Sequence, residues 1–337
     1  MDVIEFSPTP EQYAWTFGGV APVMTVRPGT ALRLWSDDAF CGRLRSVDDL
    51  ASASLDMPFV NPQTGPFFVE GAQPGDTLVL HIAALTPARS WGASSLIPFF
   101  GGLTGTDRTA TLQPPLAERT WIYQLDSEAG TVAFESSTGD VSVALPVEPM
   151  LGTIGVAPAA GEVRSALVPD TFGGNMDTPE ARAGTTVYLR VNVPGALFSI
   201  GDGHYRQGEG ESCGTAVEGA MRSTVLVDLV KGDASGGGPA WPRLQDDEHL
   251  MVVGSSRPLE DAWRAGQVDA VSWTAQLTGL DTLDAYQLLS QISRVPLANV
   301  VDANYSVVTK LPTRYLPGAG AAYGGIHRRM RELAAGL

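Results

Sequence analysis

Basic residues and cysteines are scarce in this chain of 337 residues, which has 22 Lys and Arg against 37 Asp and Glu. The net charge of -15 and the lack of a Lys/Arg cluster exclude a typical nucleic-acid partner, because phosphate backbones bind through clustered cations. The cysteines Cys41 and Cys213 are far apart and form no Cys-x-x-Cys pair. This disfavours a disulfide framework or a structural zinc finger.

Signals for export and for membrane insertion are also missing. Residues 1–6, MDVIEF, lack the basic start and apolar core of a signal peptide. No apolar run reaches the length that spans a bilayer. We therefore expect a cytoplasmic protein with no membrane partner.

Several common catalytic motifs do not occur. The sequence has no Gly-x-Ser-x-Gly elbow, which argues against a serine mechanism of the α/β-hydrolase type. Lysine occurs only at Lys231 and Lys310, which argues against amidases built on a Ser-Ser-Lys or Glu-Lys-Cys set. There is no phosphate loop, and residues 318–323 lack the final glycine of the dinucleotide fingerprint. Nucleotide cofactors are therefore not expected.

Glycine and proline are abundant, with 38 and 24 residues, and favour many turns between short strands. Runs with strand character, separated by turn signals, cover residues 31–35, 76–82, 121–125, 130–134, 141–145, 185–193, 223–230, 299–302 and 305–310. Such spacing predicts a sandwich or a barrel.

Helical character appears late in the chain. Ser256-Arg-Pro258 predicts a helix start, and Trp263, Val268, Val271 and Ala275 recur near helical spacing before Gly279. A second helix is predicted from after residue 281 to residue 294. The fold class is thus mainly β, with β-sandwich or barrel subdomains and a small C-terminal α+β element that contains a helical hairpin.

We expect three parts within one compact unit. Residues 1–150 form an N-terminal β-rich subdomain, residues 151–255 a β-rich catalytic segment, and residues 256–337 the helical hairpin with its strands. Both polar clusters described next fall in the middle part.

One glycine-punctuated stretch, residues 201–218, holds a histidine, a thiol and several carboxylates. Asp202 and His204 are two residues apart and would project to the same face of an extended backbone. Residues 173–178, GGNMDT, repeat that spacing with Asn175 and Asp177. If the two segments converge, Asp177, Asp202 and His204 suit Zn²⁺ or a similar divalent ion, with Ca²⁺ as the alternative.

A glutamate from the same stretch could serve as the base beside such an ion. Glu209, Glu211 and Glu218 are the candidates, because a carboxylate can accept the proton of an activated water and pass it to a leaving amine. Two other interpretations stay open. Gly-Asp and Gly-Asn pairs are common turn formers, and Cys213 is either a nucleophile or a small buried side chain.

The same segments resemble the acetamidase/formamidase family, whose members carry a GGN-x-D element followed by GD-x-H-x-x-Q-G-D/E-GE. Residues 173–178 and 201–211 match these two elements. Residues 64–76, TGPFFVEGAQPGD, and 150–158, MLGTIGVAP, resemble two further family segments. The resemblance implies a β-rich fold and metal-associated hydrolysis of short amides, such as formamide or acetamide, to carboxylate and ammonia.

The resemblance also implies where the site lies. Carried over residue by residue, it comprises Asn175, Asp177, Asp202, His204, Gln207, Glu211 and Glu218. Within this set we expect Asp177, Asp202 and His204 as metal ligands and Glu218 or Glu211 as base. Asn175 and Gln207 would bind the amide.

The chain also departs from the family pattern at some positions, and other functions stay open. Tyr205 and Arg206 replace smaller or more apolar residues and are expected to narrow or recharge the pocket. The alternatives are a hydrolase of another amide, such as a lactam, and a non-catalytic β-sandwich module that binds a small ligand. The partners expected are a small amide and further copies of the chain in a homo-oligomer.

Overall fold

The computed structural model describes residues 2–104, 112, 114–232 and 238–337. The predicted fold class, mainly β with a helical hairpin near the C-terminus, is confirmed. The strands are β1 (Val3–Phe6), β2 (Thr16–Phe17), β3 (Met24–Val26), β4 (Thr30–Ser36), β5 (Gln63–Val69), β6 (Thr77–Pro87), β7 (Trp91–Leu96), β8 (Arg119–Asp126), β9 (Thr131–Glu135), β10 (Ser142–Pro146), β11 (Met150–Gly155), β12 (Arg164–Ser165), β13 (Gly173–Asn175), β14 (Thr186–Arg190), β15 (Phe198–Arg206), β16 (Val217–Glu218), β17 (Met221–Val230), β18 (Arg243–Gln245), β19 (His249–Ser256), β20 (Leu297–Asn299) and β21 (Tyr305–Pro312).

The helices are short apart from one pair. They are α1 (Ala51–Ser54), α2 (Leu259–Thr278), α3 (Thr282–Ile292) and α4 (Ile326–Ala334), with 3₁₀ segments at Pro10–Gln12, Ala159–Gly161, Thr313–Tyr315 and Ala319–Gly325. Among the described residues, no helix is both long and apolar enough to cross a membrane.

Two large sheets carry most of the strands. Counted over the described residues, one sheet has nine strands in the order β1-β4-β17-β6-β14-β18-β19-β21-β20. The other has ten, with the path β10-β9-β8-β7-β16-β15-β11-β13, and β5 joins it by pairing with β15 and with β3. Neither sheet closes into a barrel within this part of the chain, so the sandwich alternative describes the architecture.

Strand β6 shows why the two sheets pack as layers. Successive side chains of a strand point to opposite faces. Leu78 and Leu80 enter the main apolar core, which also contains Leu151 and Ile200 from the second sheet. Val79 points the other way, into a separate apolar cluster formed with helix α4. The strand is thus covered on both faces, as its nearly continuous apolar sequence requires.

The helical hairpin lies where the sequence predicts, although α3 ends at Ile292, two residues before the predicted end. Asp281 caps α3 by accepting hydrogen bonds from the next turn, and Gly279 ends α2 in a left-handed conformation. Along α2, Trp263 and Val268 are 40% and 67% exposed, whereas Trp273 is buried.

A buried polar chain links helix α4 to the first sheet. His81 Nδ1 lies 2.8 Å from Thr186 Oγ1, which lies 2.8 Å from His327 Nδ1. The other ring nitrogen of His327 contacts Asp247 at 3.2 Å. Burial lowers the pKa of His81 from 6.5 to about 4, so this histidine is neutral in the folded protein at neutral pH.

This arrangement predicts a loss of stability in acid. Between pH 6.5 and about 4 the unfolded chain binds a proton at His81 that the folded chain does not, so the free energy of unfolding falls as pH falls. The expected contribution is roughly 3 kcal/mol across that window. Urea unfolding at several pH values should show a shallower acid loss in His81→Asn, whose amide can still bond Thr186. An unchanged slope in His81→Asn would contradict the prediction.

Candidate active site

Strand β11 brings the two glycine-rich segments together. It pairs on one side with β13, where Asn175 lies opposite Thr153, and on the other side with β15. The residues that follow β13 and the middle of β15 therefore meet beside β11. Ligand atoms of Asp177, Asp202 and His204 lie within 4.8 Å of one another, and all three side chains are buried.

The backbone at this meeting point is strained at acidic residues. Asp177, Asp202 and Glu211 have φ angles of 46°, 61° and 48°, in the left-handed region that favours glycine. Such conformations persist where the surroundings fix them, and they concentrate at functional sites. Gly152 of β11 lies against the cluster, where a Cβ atom would collide with the carboxylates of Asp177 and Asp202. The absence of a side chain at this position therefore makes room for both acids.

Gln207 fixes the orientation of the His204 ring. Its Nε2 donates to the backbone carbonyls of Asp177 and Ala298, at 2.7 and 3.0 Å, so its Oε1 must face the ring. Oε1 lies 2.8 Å from His204 Nδ1, which therefore carries a proton and donates it. Gln207 was expected to bind the substrate, but both polar atoms of its side-chain amide already bond within the protein.

The other ring nitrogen, His204 Nε2, faces two carboxylates. Asp202 Oδ1 lies 3.3 Å away and Glu218 Oε2 lies 3.1 Å away. Glu218 belongs to β16, which pairs with β15 directly opposite His204, and its Oε1 accepts the backbone N–H of Ala216 at 2.8 Å. The strand pairing therefore holds a histidine nitrogen between two acids.

Asn175 is tied into a network rather than free toward the cavity. Its Nδ2 donates to Asp177 and to Asp302, each at 2.9 Å. Its Oδ1 accepts from Asn61 Nδ2 at 2.8 Å and from the hydroxyl of Thr153. The side chain reaches the cavity surface, but each polar atom already has partners in the protein.

Asp302 and Asn61 complete the cluster and were missed in the sequence. Residues 299–302 were expected to form a strand, and this is wrong beyond Asn299, where β20 ends. The chain leaves the sheet there, and Arg257 Nε donates to the carbonyl of Asp302 at 2.9 Å. The available signals were weak: an Asn-Pro pair just before the segment at 64–76, and closely spaced polar residues at 299, 302 and 304.

The three candidate bases differ in how deeply they are buried. Glu211 and Glu218 are 6% and 2% exposed and both line the cavity described below. Glu209 is exposed and lies outside that lining. Cys213 is exposed as well, which contradicts the expectation of a small buried side chain.

Burial changes the proton affinity of the acids strongly. It raises the pKa of Asp177 and of Glu211 well above the ordinary value, and neighbouring carboxylates add to the effect. It also raises the pKa of Glu218 and of Asp302 to about 7. These shifts arise because carboxylates packed in a dry site cannot all carry charge.

His204 and Asp202 shift toward their charged forms. Burial lowers the pKa of His204, but the charges of Glu218 and Asp202 and the hydrogen bonds to them raise it by more, so the net pKa lies well above its ordinary value. Burial raises the pKa of Asp202, but the charge of His204 together with hydrogen bonds to His204, Glu218 and Thr153 lowers it by more. The protein alone thus supplies one positive charge to a group of buried acids.

One buried oxygen atom marks the place that a cation fits. Asp177 Oδ1 has no hydrogen-bond partner among the described residues, and Glu218 Oε2 has only the ionic contact with His204 Nε2 at 3.1 Å, which lacks hydrogen-bond geometry. Buried polar atoms without partners are rare in folded proteins and call for an explanation, such as an ion. Because Nδ1 of His204 is protonated, its Nε2 is the nitrogen available to a metal. The donor set of carboxylate oxygens and one imidazole nitrogen suits a divalent ion.

The cluster lines a cavity of about 600 Å³. Tyr205 and Arg206 were expected to reshape this cavity, and this is wrong. Tyr205 follows His204 on the strand and so points to the opposite face, where its hydroxyl donates to the carbonyl of Ala220 at 3.0 Å. Arg206 pairs with Glu148 at 3.3 Å.

Comparison with known proteins gives consistent findings. The model of the acetamidase/formamidase family matches residues 13–166 and 150–315. An acetamidase of Mycolicibacterium smegmatis is 27% identical over 295 residues, which cover 71% of this chain and 69% of that protein. The solved structure of an acetamidase from Yersinia enterocolitica superposes with a TM-score of 0.86, at 39% identity and 93% coverage of each chain. An acetamidase from Bacillus halodurans gives 0.80, at 28% identity, covering 92% of this chain and 98% of its own.

Proposed function

The chain belongs to the acetamidase/formamidase family and is an amidase, and on that premise we propose that it is a metal-dependent hydrolase of primary amides. The observation that carries this proposal is the buried cluster in which Asp177, Asp202 and His204 converge and in which Asp177 Oδ1 has no hydrogen-bond partner among the described residues. The products would be the carboxylate and ammonia.

The metal ligands we propose are Asp177, Asp202 and His204. A nitrogen ligand beside carboxylates favours Zn²⁺ over Ca²⁺, which prefers oxygen ligands alone. When bound, the ion lowers the pKa of a water molecule to about 7 and polarises a carbonyl group. Gln207 positions the ring of His204, and Asn175 positions Asp177 through the hydrogen bonds described above. We assign both amides to positioning, in place of the substrate contacts predicted for them.

Glu218 is the base in this proposal. It takes a proton from the attacking water while the water oxygen bonds to the amide carbon. The carbon–nitrogen bond then breaks, and the proton passes from Glu218 to the leaving nitrogen, which gives ammonia and the acid. Burial raises the pKa of Glu211 well above its ordinary value, and in this proposal Glu211 stays protonated and donates a hydrogen bond. Glu218 takes the role of base because its Oε2 lies 3.1 Å from His204 Nε2, beside the proposed ligands.

The test is product analysis with metal-replete protein. Formamide and acetamide should yield ammonia and carboxylate in equal amounts, and the purified protein should contain about one divalent ion per chain. A panel of γ- and δ-lactams run alongside should give no ring-opened product. Failure of every linear amide, with the ion bound, would contradict the proposal, and turnover of lactams alone would favour the other amide class.

A further inference from the structure

The cavity is far larger than the smallest amides need. At about 30 Å³ for each water-sized group, acetamide fills roughly 100 Å³. The cavity has about 600 Å³, which is the size class of sites for much larger ligands, about 300–1,000 Å³. The cluster around His204 supplies only part of the lining, so most of the volume is open to the acyl group of an amide bound there.

The walls of that remaining volume are apolar. They come from separate loops and include Phe40, Leu55, Ile97, Phe100, Leu167 and Val301. The rim is apolar as well, since Met57 and Phe99 line the cavity and are 65% and 60% exposed. Exposed apolar side chains that continue an apolar cavity indicate a ligand that buries carbon rather than charge.

The positively charged side chain in this lining, that of Arg257, already has partners within the protein. Arg257 is the only Lys or Arg that lines the cavity within the described ranges. Its guanidinium lies 4.3 Å over the ring of Tyr305, and it donates to the carbonyls of Val301 and Asp302. These contacts hold the loop that carries Asp302. The guanidinium therefore has partners within the protein and is not free to bind an anionic group of a ligand.

We propose, on the premise of the amide hydrolysis above, that the preferred substrate is a primary amide with a neutral, medium-length alkyl or arylalkyl acyl group. Its amide group lies at the acidic cluster and its acyl chain fills the apolar part of the cavity. Formamide and acetamide reach the same chemical groups but leave that part unfilled. Selectivity then comes from apolar surface removed from water.

The first test is a homologous series with the same leaving group. The value of kcat/KM should rise about fourfold for each added methylene, and so roughly two hundredfold from acetamide through butyramide to hexanamide. The monoamide of adipic acid, in which a carboxylate replaces the terminal methyl group of hexanamide, should lose that gain. A flat series, or a preference for the adipic monoamide, would overturn the inference. Activity on acetamide would still uphold the proposed function, whereas no activity on any amide would contradict the function itself.

The second test changes an apolar residue of the cavity wall and leaves the cluster around His204 as it is. Leu167→Asp should lower the ratio of kcat/KM for hexanamide to that for acetamide at least about tenfold, because a charge then faces the acyl chain. Leu167→Met should restore most of the ratio. The control Val268→Asp, on an exposed helix surface, should leave the ratio unchanged. An equal loss on both amides in Leu167→Asp would indicate damage to the fold and overturn the assignment of this wall.

Discussion

Removal of divalent ions should lower kcat/KM for a primary amide at least about a thousandfold, and added Zn²⁺ should restore it. The physical reason is the charge of the site: Asp177 Oδ1 is buried without a hydrogen-bond partner among the described residues, and the positive charge of His204 faces several buried acids. Without an ion these acids take up protons and lose the ability to activate water. The measurement is ammonia release after dialysis against a chelator, followed by titration with Zn²⁺ and with Ca²⁺.

The same experiment in a variant shows whether the predicted ligands matter. In His204→Ala, Zn²⁺ should fail to restore activity, because Nε2 is the nitrogen that the Gln207 hydrogen bond leaves available. Asp177→Asn, nearly equal in shape, should bind Zn²⁺ more weakly without loss of the fold. His249→Ala, a histidine outside the cavity lining, is the matched control and should respond like the wild type. Undiminished activity after exhaustive chelation, with no metal detected, would contradict metal dependence.

The candidate site could be predicted from sequence where its residues fall in short segments. Asn175 with Asp177, and Asp202 with His204, each lie two residues apart among glycines, and the glycines mark a backbone that packs closely. That the two pairs meet depends on β11, which lies between them in the sheet. Strand order is set by contacts between distant segments, and spacing within one segment does not report it.

The residues that were missed show the same limit. The sequence Asn-Val-Val-Asp at 299–302 has β-branched residues and reads as a strand. The structure ends the strand at Asn299, because Val300 bonds back to Gly210 and Arg257 holds the carbonyls of Val301 and Asp302. Those partners lie tens of residues away in sequence. A local pattern therefore could not indicate that Asp302 turns into the site.

Tyr205 illustrates the reverse case, in which an elementary rule was sufficient. It was expected to narrow the pocket because it departs from the family pattern. Side chains alternate along a strand, so the residue after His204 must point away from the cluster. Tyr205 does so and is fully buried. Gln207 and Asn175 are different, since only the three-dimensional hydrogen bonds reveal that their amides have partners in the protein.

Glu218→Gln should lower kcat by about 10²- to 10⁴-fold while KM and the bound ion change little. The amide has nearly the same shape as the carboxylate, and its oxygen can still accept the backbone N–H of Ala216, so the strand pairing is retained. What is lost is the group that accepts the proton of water. Steady-state rates of ammonia release, with metal analysis of the same samples, measure both effects.

Two further glutamates give this prediction its controls. Glu209→Gln, at an exposed position in the same loop, should leave kcat unchanged. Glu211→Gln should lower kcat less than about tenfold, because burial already keeps Glu211 protonated and an amide can also donate a hydrogen bond.

If Glu211→Gln has the larger effect, the two acids exchange roles. If Glu218→Gln loses the ion together with activity, Glu218 is a ligand, in line with its oxygen lying 3.1 Å from His204 Nε2. The metal content of that variant therefore distinguishes a base from a ligand, which the rate alone does not.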